Sequence, residues 1–160
     1  MENIKRIYES VVSLGTYSFS RANRHNHEMF ELEVSARDLP NIELKFLQEN
    51  HIGCSLHYSM ALLKLLRDIG VNAYICITLE KTPFASQNTY GHVSVYYVFN
   101  GEQFIADPII SVQTGNNNFF AIPFYDFLKE NLKLWIYDPY GIHGSEPFFD
   151  GFLSQPANFY

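Results

Sequence analysis

The sequence predicts a single α+β domain over residues 1–160. Residues 53–70 carry apolar side chains at helical spacing almost all round, which predicts a buried helix. The period then changes to two, and the β-branched and aromatic run at 73–79 predicts an interior strand. Asn100-Gly101 lies between two more β-rich runs and is the signal of a two-residue hairpin. We therefore expect a central helix packed on an antiparallel β-sheet.

Composition excludes some classes of protein. The net charge is −6 with no basic block, which disfavours a nucleic-acid partner. Fourteen Phe and eleven Tyr favour β-structure and large packed side chains. Two cysteines form no disulfide framework, and neither a signal peptide nor a run of transmembrane length is visible. We expect a cytoplasmic protein with no membrane partner, although an effector exported without a signal peptide would look the same.

Four elements are predicted before the central helix. Residues 2–14 carry one apolar stripe and predict an amphipathic helix. Residues 16–28 are polar and predict a solvated loop. Residues 29–34 alternate apolar with acidic side chains, as in a half-buried strand. Asp38 precedes a Pro and an imperfect helical pattern, so a helix is expected over 38–50.

Five further segments are predicted after the strand at 73–79. Residues 81–91 are rich in Pro, Ser, Asn and Gly and predict a loop, either a plain connector or a wall of the substrate site. Residues 111–120 contain a Gly and three consecutive Asn and are also expected to be a loop. A Pro at its first turn favours a helix over 123–131, and 132–137 is an apolar run typical of a strand. The tail from residue 138 is expected to be irregular.

The central helix places a thiol at its first turn. A cysteine at a helix N-terminus lies among unpaired backbone N–H groups and near the positive end of the helix dipole, which favours thiolate. Cys54 is therefore a candidate nucleophile, and a buried structural cysteine is the alternative. Gly70 is placed to end the helix. Cys76 lies in the middle of a strand and is interpreted as structural.

The predicted hairpin brings a histidine to a carboxylate. With a turn at Asn100-Gly101, Phe99 faces Glu102, and Ser94 faces Asp107. His92 lies on the same strand face as Ser94 and is the diagonal neighbour of Asp107, with Cα atoms roughly 7–8 Å apart. The carboxylate would orient the imidazole, whose other nitrogen could take a proton from a thiol. If this face packs on the helix start, Cys54, His92 and Asp107 form a triad; the alternatives are a sheet-edge histidine and a turn aspartate.

The ordered set of motifs resembles the transglutaminase-like group of papain-related cysteine enzymes. Gly53-Cys54 opens a helix that carries Arg67 near its end, and Gly91-His92 and Asp107-Pro108 follow on later strands. The resemblance implies a papain/transglutaminase-like core and makes Cys54 the nucleophile, His92 the general base and acid, and Asp107 the orienting carboxylate. Members act on amide bonds through a thioester, without a cofactor. Arylamine N-acetyltransferases are relatives with the same triad.

Further residues are candidates for an oxyanion donor or for metal ligands. Gln48 lies six residues before Cys54, the spacing of the oxyanion glutamine in papain-like proteases, and a solvated helix residue is its alternative reading. His51, Cys54 and His57 recur every three residues but are too few for a closed zinc site. The run of residues 25–28 offers metal ligands without a second cluster. We therefore assign no metal.

Two functions of different classes remain open. The first is a cysteine-dependent hydrolase, deamidase or acyl transferase acting on a peptide, protein or small acyl substrate. The second is a non-catalytic binding domain that retains the same scaffold. The aromatic tail, residues 148–160, is expected to pack on the body of the domain or on a second copy, as in a homo-oligomer.

Overall fold

A computed structural model describes residues 1–81, 89–130, 133–148 and 159–160. The chain is α+β, as the sequence predicts. The helices within these residues are α1 (Glu2–Val12), α2 (Phe19–Glu31), α3 (Leu39–Asn50), α4 (Ser55–Asp68), α5 (Pro108–Thr114) and α6 (Phe124–Glu130). The strands are β1 (Thr16–Tyr17), β2 (Ile52–Gly53), β3 (Asn72–Lys81), β4 (Thr89–Phe99), β5 (Glu102–Ala106), β6 (Ile122–Pro123) and β7 (Leu134–Tyr137).

Five strands form one antiparallel sheet in the order β6-β5-β4-β3-β7. The hairpin between β4 and β5 has the predicted register, with Phe99 opposite Glu102. Asn100 and Gly101 have φ values of 52° and 77°, as a type I′ turn requires. The last pair of this ladder joins Val95 to Ala106, so β4 continues beyond the end of β5.

Helix α4 is the core of the molecule. Every residue from Ser55 to Leu63 is buried, because the helix packs on β3 and β4 on one side and on α1, α3 and α5 on others. Its far end is fixed by Arg67, whose Nε donates to the carbonyl of Ala73 at 2.7 Å and whose Nη2 lies 2.8 Å from Asp138 Oδ1. The all-round apolar pattern of residues 53–70 therefore reflects contacts in several directions.

Two predictions before α3 are wrong. Residues 16–28, expected to be a solvated loop, contain β1 and most of α2. The strand expected at 29–34 is absent because its first residues end that helix. The buried face of α2 is formed by Ala22, Asn23 and Asn26 and is therefore mainly polar. A search for apolar periodicity cannot find a helix of this kind.

A third prediction is wrong in part. The first half of the loop expected at 111–120 belongs to α5, which begins at Pro108 and ends before Gly115 in the left-handed conformation. The other expected elements lie within a few residues of their observed bounds. Residues 82–88 of the expected loop 81–91, and 149–158 of the expected irregular tail, lie outside the described residues. In the part of the chain that is described, every helix is too short or too polar to cross a bilayer.

Strands β1 and β2 pair in parallel, and β2 ends at the residue before Cys54. Thr16 is opposite Ile52, and the N–H of Thr16 donates to the carbonyl of His51 at 2.9 Å. A Cβ added at Gly15 would overlap the carbonyl group of His51. The backbone of His51 cannot move aside as the end of a flexible side chain could, so a side chain at position 15 would be strained.

We expect Gly15→Ala to lower the free energy of unfolding by about 1–3 kcal/mol, as overpacking of a fixed site does. Urea denaturation followed by circular dichroism measures this change. Ser20→Ala, at an exposed position of α2, is the control and should change stability by no more than about 0.5 kcal/mol. Equal stabilities of the two variants would contradict the close approach.

Candidate active site

Cys54 caps the N-terminus of α4 and is fully buried. Its φ and ψ are extended, and its sulfur faces the first turn of the helix, where unpaired N–H groups concentrate. The side-chain amide of Asn26 on α2 lies beside the sulfur, with Nδ2 3.9 Å from Sγ. Asn26 is itself fully buried, and its amide also donates to Asn23 Oδ1 at 3.1 Å. The thiol therefore lies in a polar pocket within the core.

A chain of buried ionisable groups leads away from Cys54. His57 Nδ1 lies 3.4 Å from Sγ and accepts the N–H of Cys54 at 3.0 Å. On the other side of the ring, Nε2 is 2.9 Å from Glu43 Oε2, and Glu43 Oε1 is 3.0 Å from His25 Nε2. Glu43 and His57 are both fully buried. The sequence analysis considered His57 only as part of a zinc set, whereas its ring contacts the thiol.

The contacts among these buried side chains determine the pKa values of Glu43 and His57. Burial alone would raise the pKa of the Glu43 carboxyl, but the imidazoles of His57 and His25 outweigh it and lower that pKa to about 2. Burial likewise opposes a charge on His57, while Cys54 and Glu43 raise the pKa of its ring. The N–H of Cys54 can only donate, so Nδ1 must present a lone pair while this bond exists. A second proton on His57 therefore competes with the helix cap.

His92 and Asp107 make the contact that the hairpin register predicts. His92 Nε2 lies 2.6 Å from Asp107 Oδ2, and Asp107 is buried where β5 ends and α5 begins. The neighbouring residue, Val93, is attached to α4: its N–H donates to Ser55 Oγ at 3.2 Å, and its carbonyl accepts from Ser59 Oγ at 2.8 Å. These two bonds hold the helix turn that follows Cys54 against the strand that carries His92.

The described end of the chain lies over the same region. The carbonyl of Tyr160 accepts the N–H of Ser55 at 3.1 Å, and the Tyr160 ring lies 5.0 Å from the His92 ring between centroids. Phe159 is fully buried. Tyr160, His92 and Asp107 also border a cleft of about 480 Å³, whose other wall includes Phe127 and Glu130 on α6. The His92 imidazole therefore borders this cleft, with 12% of its side chain exposed.

The residue predicted to bind the oxyanion lies on the exposed face of α3. Gln48 is exposed on α3, whereas Glu43 and Leu47 on the same helix are buried. The side-chain amide found near Sγ is that of Asn26, which the sequence analysis placed in a loop. A signal for Glu43 was present, since Leu39, Glu43 and Leu47 recur every four residues and only the middle one is charged.

One group within the described residues has the arrangement of a metal site. His25, Glu43 and His57 each offer a ligand atom, and these atoms lie within 4.8 Å of one another. Two imidazoles and a carboxylate are ligands that zinc accepts. The same atoms also make the ion-pair contacts described above. His51, which the sequence places in a set with Cys54 and His57, does not belong to this group. Its Nδ1 lies 3.0 Å from the carbonyl of Leu14, at an exposed position.

Comparison with protein-family models gives no match for this chain, and comparison with curated proteins gives none either.

We expect Glu43→Gln to change the pH dependence of stability. Because the pKa of Glu43 is lower in the folded protein than its usual value of 4.5, its ionised form stabilises the fold at neutral pH. That contribution, roughly 1–3 kcal/mol, should be lost as the pH falls from 4.5 toward 2. The variant should be less stable at pH 7 and should lack this part of the acid dependence. Urea titrations across the pH range measure it.

Glu49→Gln is the matched control, because Glu49 is on the same helix with 62% of its side chain exposed. It should leave the acid dependence of the wild type unchanged. If the free energy of unfolding falls with decreasing pH at the same slope in Glu43→Gln and in the wild type, ionised Glu43 is not the cause of the acid dependence.

Proposed function

We propose that this protein is a cysteine-dependent acyl-group enzyme on a papain/transglutaminase-like core, with Cys54 as nucleophile, His92 as general base and acid, and Asp107 as the orienting carboxylate. The observation that carries the proposal is the 2.6 Å contact of His92 Nε2 with Asp107, on a strand bonded through Val93 to the helix turn after Cys54. A carboxylate on one imidazole nitrogen fixes the ring and leaves Nδ1 to exchange a proton.

The reaction has two balanced steps. His92 takes the proton of Cys54, and the thiolate sulfur forms a bond with the carbonyl carbon of an amide or thioester. The bond to the leaving amine or thiol breaks, and that group leaves with the proton held by His92. Water or a second amine then attacks the thioester, gives its proton to His92 and releases a carboxylic acid or a new amide. The sulfur regains its proton, and no external oxidant or cofactor takes part.

Asn26 is the proposed oxyanion donor in place of Gln48. The backbone N–H of Cys54 is not available for this role, because it donates to His57 Nδ1. The amide of Asn26 lies beside the sulfur and is buried, so it can stabilise negative charge without reorganising water. Its second contact, with Asn23, fixes the direction in which its N–H groups point.

His57 is a less suitable base than His92, although it is close to the sulfur. Its Nδ1 lone pair is used by the N–H of Cys54, so protonating it disrupts the first turn of α4. We assign His57 and Glu43 a positioning role: they fix the cap that orients Cys54.

We expect Cys54→Ala to abolish turnover in a panel of thioester, ester and peptide-amide substrates. His92→Gln and Asp107→Asn should reduce kcat/KM by about 10²- to 10⁴-fold, because each removes proton transfer or its orientation. Cys76→Ser is the control and should keep full activity, because burial raises the pKa of the Cys76 thiol to about 12 and leaves it protonated. Turnover that survives Cys54→Ala, or no turnover of any of these acyl donors, would reject an enzyme and favour a binding domain.

The oxyanion assignment is tested by a pair of amide variants. Asn26→Ala should lower kcat by about 10²-fold with little change in KM, since the lost hydrogen bond strengthens only in the transition state. Gln48→Ala should leave both constants unchanged because its side chain is exposed. A loss of activity in Gln48→Ala with none in Asn26→Ala would restore the prediction made from sequence spacing.

A further inference from the structure

Phe159 and Tyr160 are bound through all four of their main-chain polar groups. The N–H of Phe159 donates to Asn23 Oδ1, and its carbonyl accepts from Asn23 Nδ2, both at 2.7 Å. The N–H of Tyr160 donates to the carbonyl of Gly91 at 3.3 Å, and its carbonyl accepts from Ser55. Such bonds recognise an extended backbone regardless of side chains, as in peptide binding by strand addition.

The groove that holds them is the open edge of β4. Strand β5 ends opposite Val95, so the edge groups of Val93 and Gly91 need other partners. Serine hydroxyls of α4 serve Val93, and the described end of the chain serves Gly91 through a parallel bridge to Phe159. This edge, bounded by Asn23, Ser55 and Gly91, is called the edge groove below.

The edge groove contains a pocket for one side chain, the ring of Phe159. The Phe159 ring is fully buried, and a Cβ added at Gly91 would lie 2.5 Å from it. The absence of a side chain at Gly91 thus makes room for an aromatic ring. The next residue presents its carbonyl to the N–H of Ser55, the first helical N–H after Cys54. A carbonyl held here lies at the positive end of α4.

We propose that the edge groove is the acyl-donor subsite for an extended peptide with an aromatic residue, and that Phe159 and Tyr160 occupy it as a resident ligand. This proposal rests on the proposed function and names its substrate class. A peptide that displaces them gains the same four main-chain bonds, fills the same aromatic pocket and brings its next carbonyl to Ser55. Displacement also uncovers Cys54, which is fully buried while the edge groove is filled.

The first test measures access to Cys54 by the rate of iodoacetamide alkylation, followed by intact mass. Phe159→Ala should raise the rate at Cys54 by about tenfold or more, because it weakens the resident contact and favours local opening. Phe148→Ala is the matched control: it also removes a buried phenyl ring, 3% exposed, which packs on Tyr137. It should leave the rate within about twofold of the wild type. Equal acceleration by both variants would mean general loosening and overturn the proposal.

The second test measures ligand binding by fluorescence anisotropy. The probe is a labelled Asn-Phe-Tyr amide, and the receptor is the Phe159→Ala, Cys54→Ala double variant, which cannot turn it over. We expect binding at least about tenfold tighter than that of an Asn-Ala-Tyr amide, as loss of a buried ring implies, and weak binding to Cys54→Ala alone, whose edge groove is filled. No binding to the double variant, equal binding of the two peptides, or equal binding to the two receptors would overturn the proposal.

These results separate the two proposals. Specific probe binding with no Cys54-dependent turnover would keep the edge groove and reject the enzyme. Turnover of small thioesters without probe binding would keep the enzyme and reject a peptide as its acyl donor.

Discussion

The unpaired edge of β4 is the constraint on which the site depends. A β-strand that extends beyond the end of its neighbour has N–H and C=O groups without a partner strand, and these groups need other partners if they are buried. Here Ser55 and Ser59 supply them at Val93. The hydroxyls thus replace a missing strand and fasten the start of the central helix to the sheet. The same edge, two residues earlier at Gly91, is left for an extended segment of backbone.

Local signals in the sequence were sufficient for the framework of the fold. The register of the hairpin follows from Asn100 and Gly101, because only a few residues adopt positive φ, and the contact of His92 with Asp107 follows from that register. Helix α2 could not be predicted because Asn23 and Asn26 face inward. Their burial is stabilised by partners far along the chain, such as Phe159, and no local pattern reveals those partners.

The candidate site divides in the same way. Cys54 and Asp107 stood out because each precedes a helix, and His92 stood out because the hairpin register places it beside Asp107. Glu43 and His25 did not, since a charged residue on a helix is normally solvated and becomes a buried partner only through tertiary packing. Gln48 is the converse case: a spacing taken from papain-like proteases assumes a helix orientation, and on α3 the Gln48 side chain is exposed.

The contact between Gly91 and the ring of Phe159 has an evolutionary consequence. Where a ring stands in the place of a first side-chain carbon, the two positions cannot drift separately. Alanine or a larger residue at 91 requires the ring at 159 to shift or to be replaced by a smaller side chain. Descendants of this protein should therefore show paired substitutions at these two sites.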